Sequence, residues 1–414
     1  MKKTLYKLHV YYNGWGQHWL LGTLASDGKQ TLFEYSSDAI AKGLELSPRY
    51  LQLSNQTYSF PTQPLQLAGL FADSLPDGWG MLLMDRYFKK YQGREPYQIH
   101  PFERLAFLGE HTMGALSYRP TMDIDGQTAA LNFFDIADAI VQVQQDQDTK
   151  VLAELALIGG SPQGARPKAL VYYQPITRQM STQTFDGAEP WLVKFPAQNE
   201  HPEVCAIEAA YLQIAQVCGL DVPDFQFLSV NNALNALVIK RFDRQGDIRI
   251  PMHSLAGALH ANFRIPDCSY NIFLRMTRFM TKNEAEVQKA FAQCVFNVCM
   301  NNRDDHTKNF SYLMNSRGEW MLSPAYDLTF NTGLNGHHQM DVEGESLYPA
   351  REHLLALAKN AGLPLRLSTQ TIDHIVAMAH QASDILNQYP IRPSTVETIT
   401  AVIKTNINRI KTYM

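Results

Sequence analysis

The sequence predicts an α+β protein of two or three packed units whose carboxy-terminal part is mostly helical. Its 414 residues are too many for one ordinary hydrophobic core. Residues 1–245 alternate short apolar, strand-like runs with helical patterns, whereas residues 246–414 carry apolar residues mainly at helical spacings of three and four. We therefore expect an amino-terminal α+β subdomain at 1–120, a second small unit at 121–245 and a helical unit from 246 to the end.

Composition and charge exclude several classes of protein. Hydrophobic residues at 45% and charged residues at 18% are typical of a soluble globular chain, neither disordered nor fibrous. The formal net charge of −4 argues against direct, sequence-independent binding to nucleic acid, which needs an excess of Lys and Arg.

The cysteines and the apolar runs indicate the compartment. The five cysteines form no Cys-x-x-Cys pair, which favours reduced, buried thiols over disulfides or zinc ligands. No apolar run reaches membrane-spanning length, and polar residues soon interrupt the basic start. We therefore expect a cytoplasmic protein without membrane contact.

The first 120 residues indicate a small α+β unit without a reactive grouping. The predicted elements are strands at 5–12 and 19–24 and helices at 79–90 and 102–108. Asp73, Asp77 and Asp85 are carboxylates that we expect to cap helices or lie on solvated faces.

A glycine-rich loop at residues 159–168, GGSPQGARPK, separates a predicted helix from a strand at 169–173. Such a loop can bring backbone N–H groups close to phosphate oxygens, because nothing projects from the glycines. The pattern differs from both Gly-x-Gly-x-x-Gly and the Walker A motif. A plain connection between helix and strand is the alternative interpretation.

Lys194 lies inside a short apolar strand at 191–196, and burying an ammonium group without a partner is costly. Its functional interpretation is a lysine aimed at nucleotide phosphates and oriented by Glu208 of the following helix. The alternative for Glu208 is a surface position. Two strands at 225–230 and 233–239 follow, and the ensemble resembles the small lobe of a kinase.

The helical unit contains the residues with the clearest chemistry. A capping box of Thr281 and Glu284 is predicted to open a helix that leads to Asp304. A hairpin at 310–322 follows, and because a hairpin places its ends side by side, Asp304, Asn309 and Asp327 are expected to converge. Phosphoryl transfer needs one carboxylate as base and further oxygen ligands for Mg²⁺. Ordinary turn residues are the alternative.

Five motifs occur in a fixed order along the chain. They are 161–168 (SPQGARPK), 192–196 (LVKFP), 241–244 (RFDR), 304–310 (DDHTKNF) and 324–327 (PAYD). This ordered set resembles the HipA family, the serine/threonine-kinase toxins of bacterial toxin–antitoxin pairs. The resemblance implies a two-lobed protein-kinase-like fold, with the amino-terminal subdomain added to a small lobe at 121–245 and a helical large lobe at 246–414.

The resemblance also implies a role for each matching residue. Asp304 would be the catalytic base, Asn309 and Asp327 would hold Mg²⁺, and Glu208 would orient Lys194. The residues implied to bind ATP are Gln163, Gly164, Ala165, Arg166, Pro167, Lys168, Lys194, Lys240, Arg241, Phe242, His306, Lys308 and Tyr326.

Ser161 falls where the family carries an autophosphorylated serine. A phosphate there would add about two negative charges and expel the loop. The sequence departs from the family pattern at Lys240, which is basic where an acidic residue is familiar, and at Pro162 and Pro167, which stiffen the loop.

The leading hypothesis is a Mg²⁺- and ATP-dependent serine/threonine protein kinase that inhibits growth by phosphorylating a protein, as similar kinases do with an aminoacyl-tRNA synthetase. A HipB-like helix-turn-helix antitoxin would neutralise it, and the chain would meet DNA only through that complex. Two alternatives stay open: a small-molecule phosphotransferase of the same fold, and a catalytically silent co-repressor.

Overall fold

The computed structural model describes residues 6–27, 29–124, 130–229 and 234–411. The chain divides into two compact units. The first unit comprises Met1–Glu200, Val238–His253 and Ser316–Gly318, and the second unit comprises His201–Leu237, Ser254–Asn315 and Glu319–Met414.

The strands are numbered in chain order. They are β1 Lys7–Tyr12, β2 Trp19–Ser26, β3 Thr31–Tyr35, β4 Tyr58–Ser59, β5 Leu116–Arg119, β6 Lys168–Gln174, β7 Gln179–Ser181, β8 Glu189–Lys194, β9 Phe225–Ser229, β10 Asn235–Lys240, β11 Arg244–Gln245, β12 Ile248–Arg249, β13 Met252–Ser254, β14 Ser311–Met314 and β15 Trp320–Leu322.

The helices are numbered in the same way. They are α1 Ser37–Lys42, α2 Gly69–Ala72, α3 Gly78–Gln92, α4 Pro101–Leu108, α5 Phe133–Gln144, α6 Leu152–Gly160, α7 Val204–Val217, α8 Leu255–Leu259, α9 Tyr270–Thr281, α10 Glu284–Met300, α11 Arg351–Asn360, α12 Leu365–Ala379, α13 Ala382–Leu386 and α14 Pro393–Lys411. Within the described residues, none of these helices is long and apolar enough to cross a membrane.

The first unit contains an antiparallel sheet in the order β4-β3-β2-β1-β5. Leu8, Val10 and Tyr12 alternate with more exposed residues along β1, which is the period-two pattern of a strand with one buried face. A second set of antiparallel strands in this unit has the order β7-β6-β8.

The second unit is built around α10, which packs against α9, α12 and α14. Its buried residues recur at the predicted spacings of three and four, and its two cysteines are buried. All five cysteines of the chain are free and buried, as predicted. The α+β class with a mostly helical carboxy-terminal part is also confirmed.

The predicted capping box at Thr281 is wrong. Thr281 ends α9, and its hydroxyl donates to the Thr277 carbonyl at 2.8 Å. Lys282 then takes a left-handed conformation (φ 52°), and Asn283 caps α10 by accepting from the Ala285 N–H at 3.0 Å. Thr281 cannot serve because an N-cap needs extended backbone, whereas this residue still belongs to a helical turn.

The structure divides one helix that was predicted as continuous, and one predicted turn lies outside the described residues. The helix predicted over 368–387 is divided into α12 and α13, because His380 and Gln381 interrupt the helix. The predicted turn at Asn231 and Asn232 lies outside the described residues.

Candidate active site

The polar loop at residues 301–309 lies in the second unit, directly after α10. The helix ends where Asn301 takes a left-handed conformation (φ 56°), and a 3-10 turn, Thr307–Asn309, leads into β14. Strands β14 and β15 then pair as the predicted hairpin. Because other helices pack on α10, the loop starts from a rigid base.

A hydrogen bond in this polar loop connects two of the three residues that the sequence predicts to converge, Asp304 and Asn309. The Asn309 side-chain N–H donates to the Asp304 carbonyl at 2.8 Å, which turns the amide oxygen away from that carbonyl. The Asp304 carboxylate remains 45% exposed, and its Oδ1 lies 3.9 Å from His306 Nε2. The loop therefore presents an accessible carboxylate beside an oriented amide.

Asp327 follows the hairpin and has a left-handed backbone conformation (φ 56°). This conformation is uncommon in residues other than glycine and is often found at functional sites. The hydroxyl of Tyr326 donates to the Lys308 carbonyl at 2.6 Å and lies 2.7 Å from Ser311 Oγ. Tyr326 thus ties the Asp327 turn to the polar loop.

Sequence reasoning missed Phe263, an aromatic residue that contacts the polar loop. Lys308 Nζ lies 4.0 Å from the centre of its ring, and the His306 ring packs edge-on at 5.6 Å. Arg264 lies against the same ring at 4.8 Å. Phe263 therefore orients two side chains, Lys308 and His306, that the family resemblance assigns to ATP binding. The segment around Phe263 has no periodic pattern that could have predicted this role.

A buried network also holds the polar loop from behind. Asp305 accepts hydrogen bonds from the Tyr270 hydroxyl at 2.7 Å and from the Gln339 N–H at 2.8 Å, and it lies 2.8 Å from His338 Nδ1. Asn297 in α10 donates to the same tyrosine hydroxyl at 2.9 Å. Asp305 therefore fixes the backbone next to Asp304 while its own carboxylate is inaccessible to a ligand.

In the first unit, two buried lysines lie side by side. Lys168 and Lys194 are direct partners in the antiparallel register of β6 and β8, so their side chains leave the same face of the sheet. Lys168 is 4% exposed and Lys194 is 6% exposed. Two positive charges on one face of the sheet would attract an anion.

The glycine-rich loop leads directly into this lysine pair. Lys168 Nζ donates to the Gln163 carbonyl, and Arg166 forms an ion pair with Glu200 at 2.9 Å. Ser161, at the start of the loop, is fully buried. The contact of Lys168 with Gln163 therefore orders the loop from within, and the ion pair with Glu200 ties the loop to a residue outside it.

The family resemblance implies that Lys240, Arg241 and Phe242 bind ATP. Lys240 Nζ forms an ion pair with Glu189 at 2.8 Å. The Arg241 guanidinium makes two hydrogen bonds of 2.9 Å to Asp243. Both basic side chains are thus paired with carboxylates of the first unit.

Glu208 lies in α7 of the second unit and is 2% exposed. The surface alternative for this residue is therefore wrong. A buried carboxylate fits an ion-pairing role better than a solvated one.

Asp243 is the most strongly perturbed carboxylate in the segment after β10. Burial alone would raise its pKa, but the charges of Arg241 and Arg244, with hydrogen bonds from Arg241 and the Gly114 N–H, lower the pKa of Asp243 far below its usual range. Because the folded-state pKa is below the unfolded value, this group stabilises the fold above the ordinary carboxyl pKa. That contribution is lost as the pH falls through the lower, folded-state value.

Replacing Asp243 by asparagine is expected to lower the free energy of unfolding by about 3–5 kcal/mol at pH 7, because two largely buried arginines, Arg241 and Arg244, lose their counter-charge. Denaturant titration of the purified protein measures this, with Asp247→Asn, an exposed neighbour, as control. The difference in the free energy of unfolding between wild type and the Asp243 variant should become smaller as the pH falls below about 4. A difference that stays constant down to acid pH would contradict the ion-pair account.

The donors that the sequence assigns to Mg²⁺ have suitable chemistry. The Asn309 amide and the Asp327 carboxylate are hard oxygen ligands, which Mg²⁺ prefers. Among the described residues, no three His, Cys, Asp or Glu side chains are grouped as a metal site. An amide and one carboxylate still fit a cation that completes its shell with phosphate oxygens and water.

Two protein-family models and a solved structure match this chain. The HipA N-terminal domain matches residues 8–119, and the HipA-like C-terminal domain matches residues 160–383. The chain has the fold of HipA in the Shewanella oneidensis MR-1 complex of HipA, HipB and operator DNA, with a TM-score of 0.70, 18% identity, and coverage of 97% of this chain and 95% of that one.

Curated relatives are similar over shorter stretches. "Putative kinase Y4dM" of Sinorhizobium fredii is 30% identical over 151 residues, which is 33% of this chain and 36% of that protein. A "Putative kinase" of Haemophilus influenzae is 28% identical over 147 residues, 32% of this chain and 43% of that protein. The chain thus spans less than half the length of these relatives. Since the C-terminal match alone covers more than half of the 414 residues, the chain belongs to the HipA family.

Proposed function

We propose that this chain is a Mg²⁺- and ATP-dependent serine/threonine protein kinase that acts as a toxin. The observation that carries the proposal is the pair of buried lysines on β6 and β8, Lys168 and Lys194. Two buried lysines on the same face of the sheet give this place a positive charge, and a nucleotide supplies several phosphate charges of the opposite sign. Membership of the HipA family and the kinase names of the relatives agree with this choice.

In the first unit, Lys194, Lys168 and the rest of Gln163–Lys168 would hold the phosphates of ATP. The backbone of Lys240–Phe242 would accompany the adenine, since the Lys240 and Arg241 side chains are paired with carboxylates. These residues bind and orient the nucleotide and take no part in proton transfer.

In the second unit, Asp304 would accept the proton of the acceptor serine or threonine hydroxyl. The exposed Asp304 carboxylate is suited to that role. The hydrogen bond from the Asn309 side-chain amide to the Asp304 carbonyl holds this residue in place. Asn309 and Asp327 would hold Mg²⁺, which neutralises negative charge on the transferring phosphate. His306, Lys308 and Tyr326 would line the nucleotide side, and Glu208 would support the phosphate-binding lysine.

The biological role is proposed from family membership. A HipB-like helix-turn-helix antitoxin would neutralise the kinase, because the similar HipA of Shewanella oneidensis was solved with HipB and operator DNA. Contact with DNA would then come through the antitoxin, in keeping with a net charge of −4. A cytosolic protein would be the substrate.

The proposal is tested by incubating purified protein with labelled ATP, Mg²⁺ and cell lysate. Label on a discrete protein band, absent with the Asp304→Asn variant, is the expected result. Label confined to the small-molecule fraction would instead indicate a small-molecule phosphotransferase. Absence of label in both fractions, with toxicity unchanged in the variant, would favour the silent co-repressor.

Ser161 is proposed to be autophosphorylated, which requires movement of the glycine-rich loop because the serine is fully buried. After preincubation with Mg-ATP, the Ser161→Ala variant should still bind a fluorescent ATP analogue while wild type loses most of its binding. Mass spectrometry of the preincubated wild type identifies the modified residue. Equal nucleotide binding by the two proteins would count against this regulation.

A further inference from the structure

The glycine-rich loop is hydrogen-bonded to residues of the amino-terminal 120. The Met113 N–H donates to Ser161 Oγ at 2.6 Å, and Gln163 Nε2 donates to the Asp73 carbonyl at 3.2 Å. Both partners belong to the first unit. The loop is therefore held at two points by a part of the chain that carries no predicted site residue.

Two further hydrogen bonds hold both backbone polar groups of Gly164. Its N–H donates to the Asp77 carboxylate, and its carbonyl accepts from the Trp79 N–H at 3.1 Å. Asp77 occupies the N-cap position of α3, one of the two predicted roles, but its side chain makes no capping hydrogen bond. It is 6% exposed, so the other predicted role, a solvated face, is wrong for this residue. A Cβ on Gly78 would lie 2.7 Å from Ala165 Cα, which shows how closely the two backbones approach. We call residues 77–79 the clamp.

The clamp is itself fixed to the rest of the first unit. Asp73 precedes the clamp by four residues, and its Oδ2 lies 2.6 Å from Nδ1 of His253. The other ring nitrogen of His253, Nε2, lies 3.1 Å from Ser47 Oγ. Ser47 and His253 are both fully or almost fully buried. The clamp is therefore anchored to buried residues of the first unit.

The conformation that the clamp imposes is suited to phosphate. Gly164 has φ +108°, and a Cβ there would lie 2.3 Å from Lys168 Nζ. The face of Gly164 without a side chain is thus turned towards the ammonium group of Lys168, which also donates to the Gln163 carbonyl. A phosphate oxygen bound by Lys168 would meet bare backbone at this position.

We propose that Asp77 is a positioning residue for ATP: its carboxylate holds Gly164, and through it the glycine-rich loop, in the nucleotide-binding conformation. The inference rests on the proposed kinase function and deepens it, because it makes the amino-terminal residues part of the control of ATP affinity. Asp77 touches neither the nucleotide nor the reacting atoms in this role.

The physical reason is preorganisation of the loop. A loop that samples several conformations binds its ligand less tightly, in proportion to the fraction of molecules in the competent one. A charge-assisted hydrogen bond to a backbone N–H strongly favours one conformation, and its loss corresponds to about a ten- to hundredfold change in an equilibrium. Removing Asp77 should therefore weaken ATP binding without affecting the chemical step.

Three variants of the full chain test this: Asp77→Ala, Asp77→Asn and, as matched control, Asp85→Asn. Asp85 lies on the same helix α3, and its carboxylate pairs with Arg104 at 2.6 Å. We expect Asp77→Ala to raise the KM for ATP about ten- to hundredfold with kcat nearly unchanged. Asp77→Asn keeps an acceptor oxygen and should restore part of the affinity, and Asp85→Asn should leave KM unchanged.

Hydrogen exchange without nucleotide separates this proposal from the kinase function. Amides of residues 163–166 should exchange faster in Asp77→Ala than in wild type, because the opening equilibrium of the loop shifts. Equal exchange in both, or a lower KM in Asp77→Ala, would overturn the positioning role even if the enzyme is a kinase. If ATP fails to protect the wild-type loop while Asp77→Ala still exchanges faster, the clamp is real and the proposed nucleotide function is wrong.

Discussion

The Asp304→Asn variant is expected to transfer phosphate about 10²–10⁴-fold more slowly than wild type, the usual contribution of a positioned general base. The substitution keeps the shape of the side chain and removes its ability to accept a proton. Its backbone carbonyl, which accepts the Asn309 hydrogen bond, is unaffected, so the polar loop should keep its geometry. Single-turnover assays with labelled ATP and a phosphorylated protein band give the rate.

The matched control for this prediction is Asp384→Asn, an exposed carboxylate in α13 of the same unit. It should transfer phosphate as fast as wild type. The free energy of unfolding of Asp304→Asn should stay within about 1 kcal/mol of the wild-type value, because the carboxylate is 45% exposed. A variant that folds normally and retains the full rate would remove Asp304 from the mechanism.

Replacing Asp327 is expected to lower the rate about 10²–10³-fold, the effect of losing one group that stabilises transition-state charge. Asp327→Asn and Asp327→Gly are the informative variants because asparagine and glycine both tolerate the left-handed conformation found here (φ 56°). Each should fold with a free energy of unfolding within about 1 kcal/mol of wild type. Raising the Mg²⁺ concentration should restore part of the rate in Asp327→Asn.

Asp327→Val supplies the contrast. A β-branched side chain fits the left-handed region poorly, so this variant should also lose stability, by about 1–2 kcal/mol. Denaturant titration and Mg²⁺-dependent kinetics on all three variants separate metal binding from backbone strain. If Asp327→Asn showed the wild-type dependence on Mg²⁺, Asp327 would not be a metal ligand.

Much of the second unit could be predicted because its signals are local. The apolar spacing of α10 and the alternation of the hairpin at 310–322 are short-range patterns, and both elements are present. The pairing of Asn309 with the Asp304 backbone spans only five residues. Helix bounds were less predictable, as Thr281 shows, because adjacent polar residues compete for the capping position.

The contacts that the sequence could not indicate join residues far apart in the chain. Asp77 contacts Gly164 across 87 positions, and Asp305 contacts His338 across 33. Neither pair leaves a periodic trace, since each depends on how whole elements pack. Phe263 was missed for a related reason, because it lies in an irregular segment and its ring contacts Lys308 and His306 of the polar loop.

The clamp at residues 77–79 has a consequence for recombination among relatives. The two matched domains, residues 8–119 and 160–383, look like exchangeable modules when aligned separately. A chimera that takes its first part from another member of the family would inherit a foreign surface against Gly164, and the fit of two backbones without intervening side chains tolerates little variation. Successful shuffling should therefore require both halves of that contact to come from the same parent.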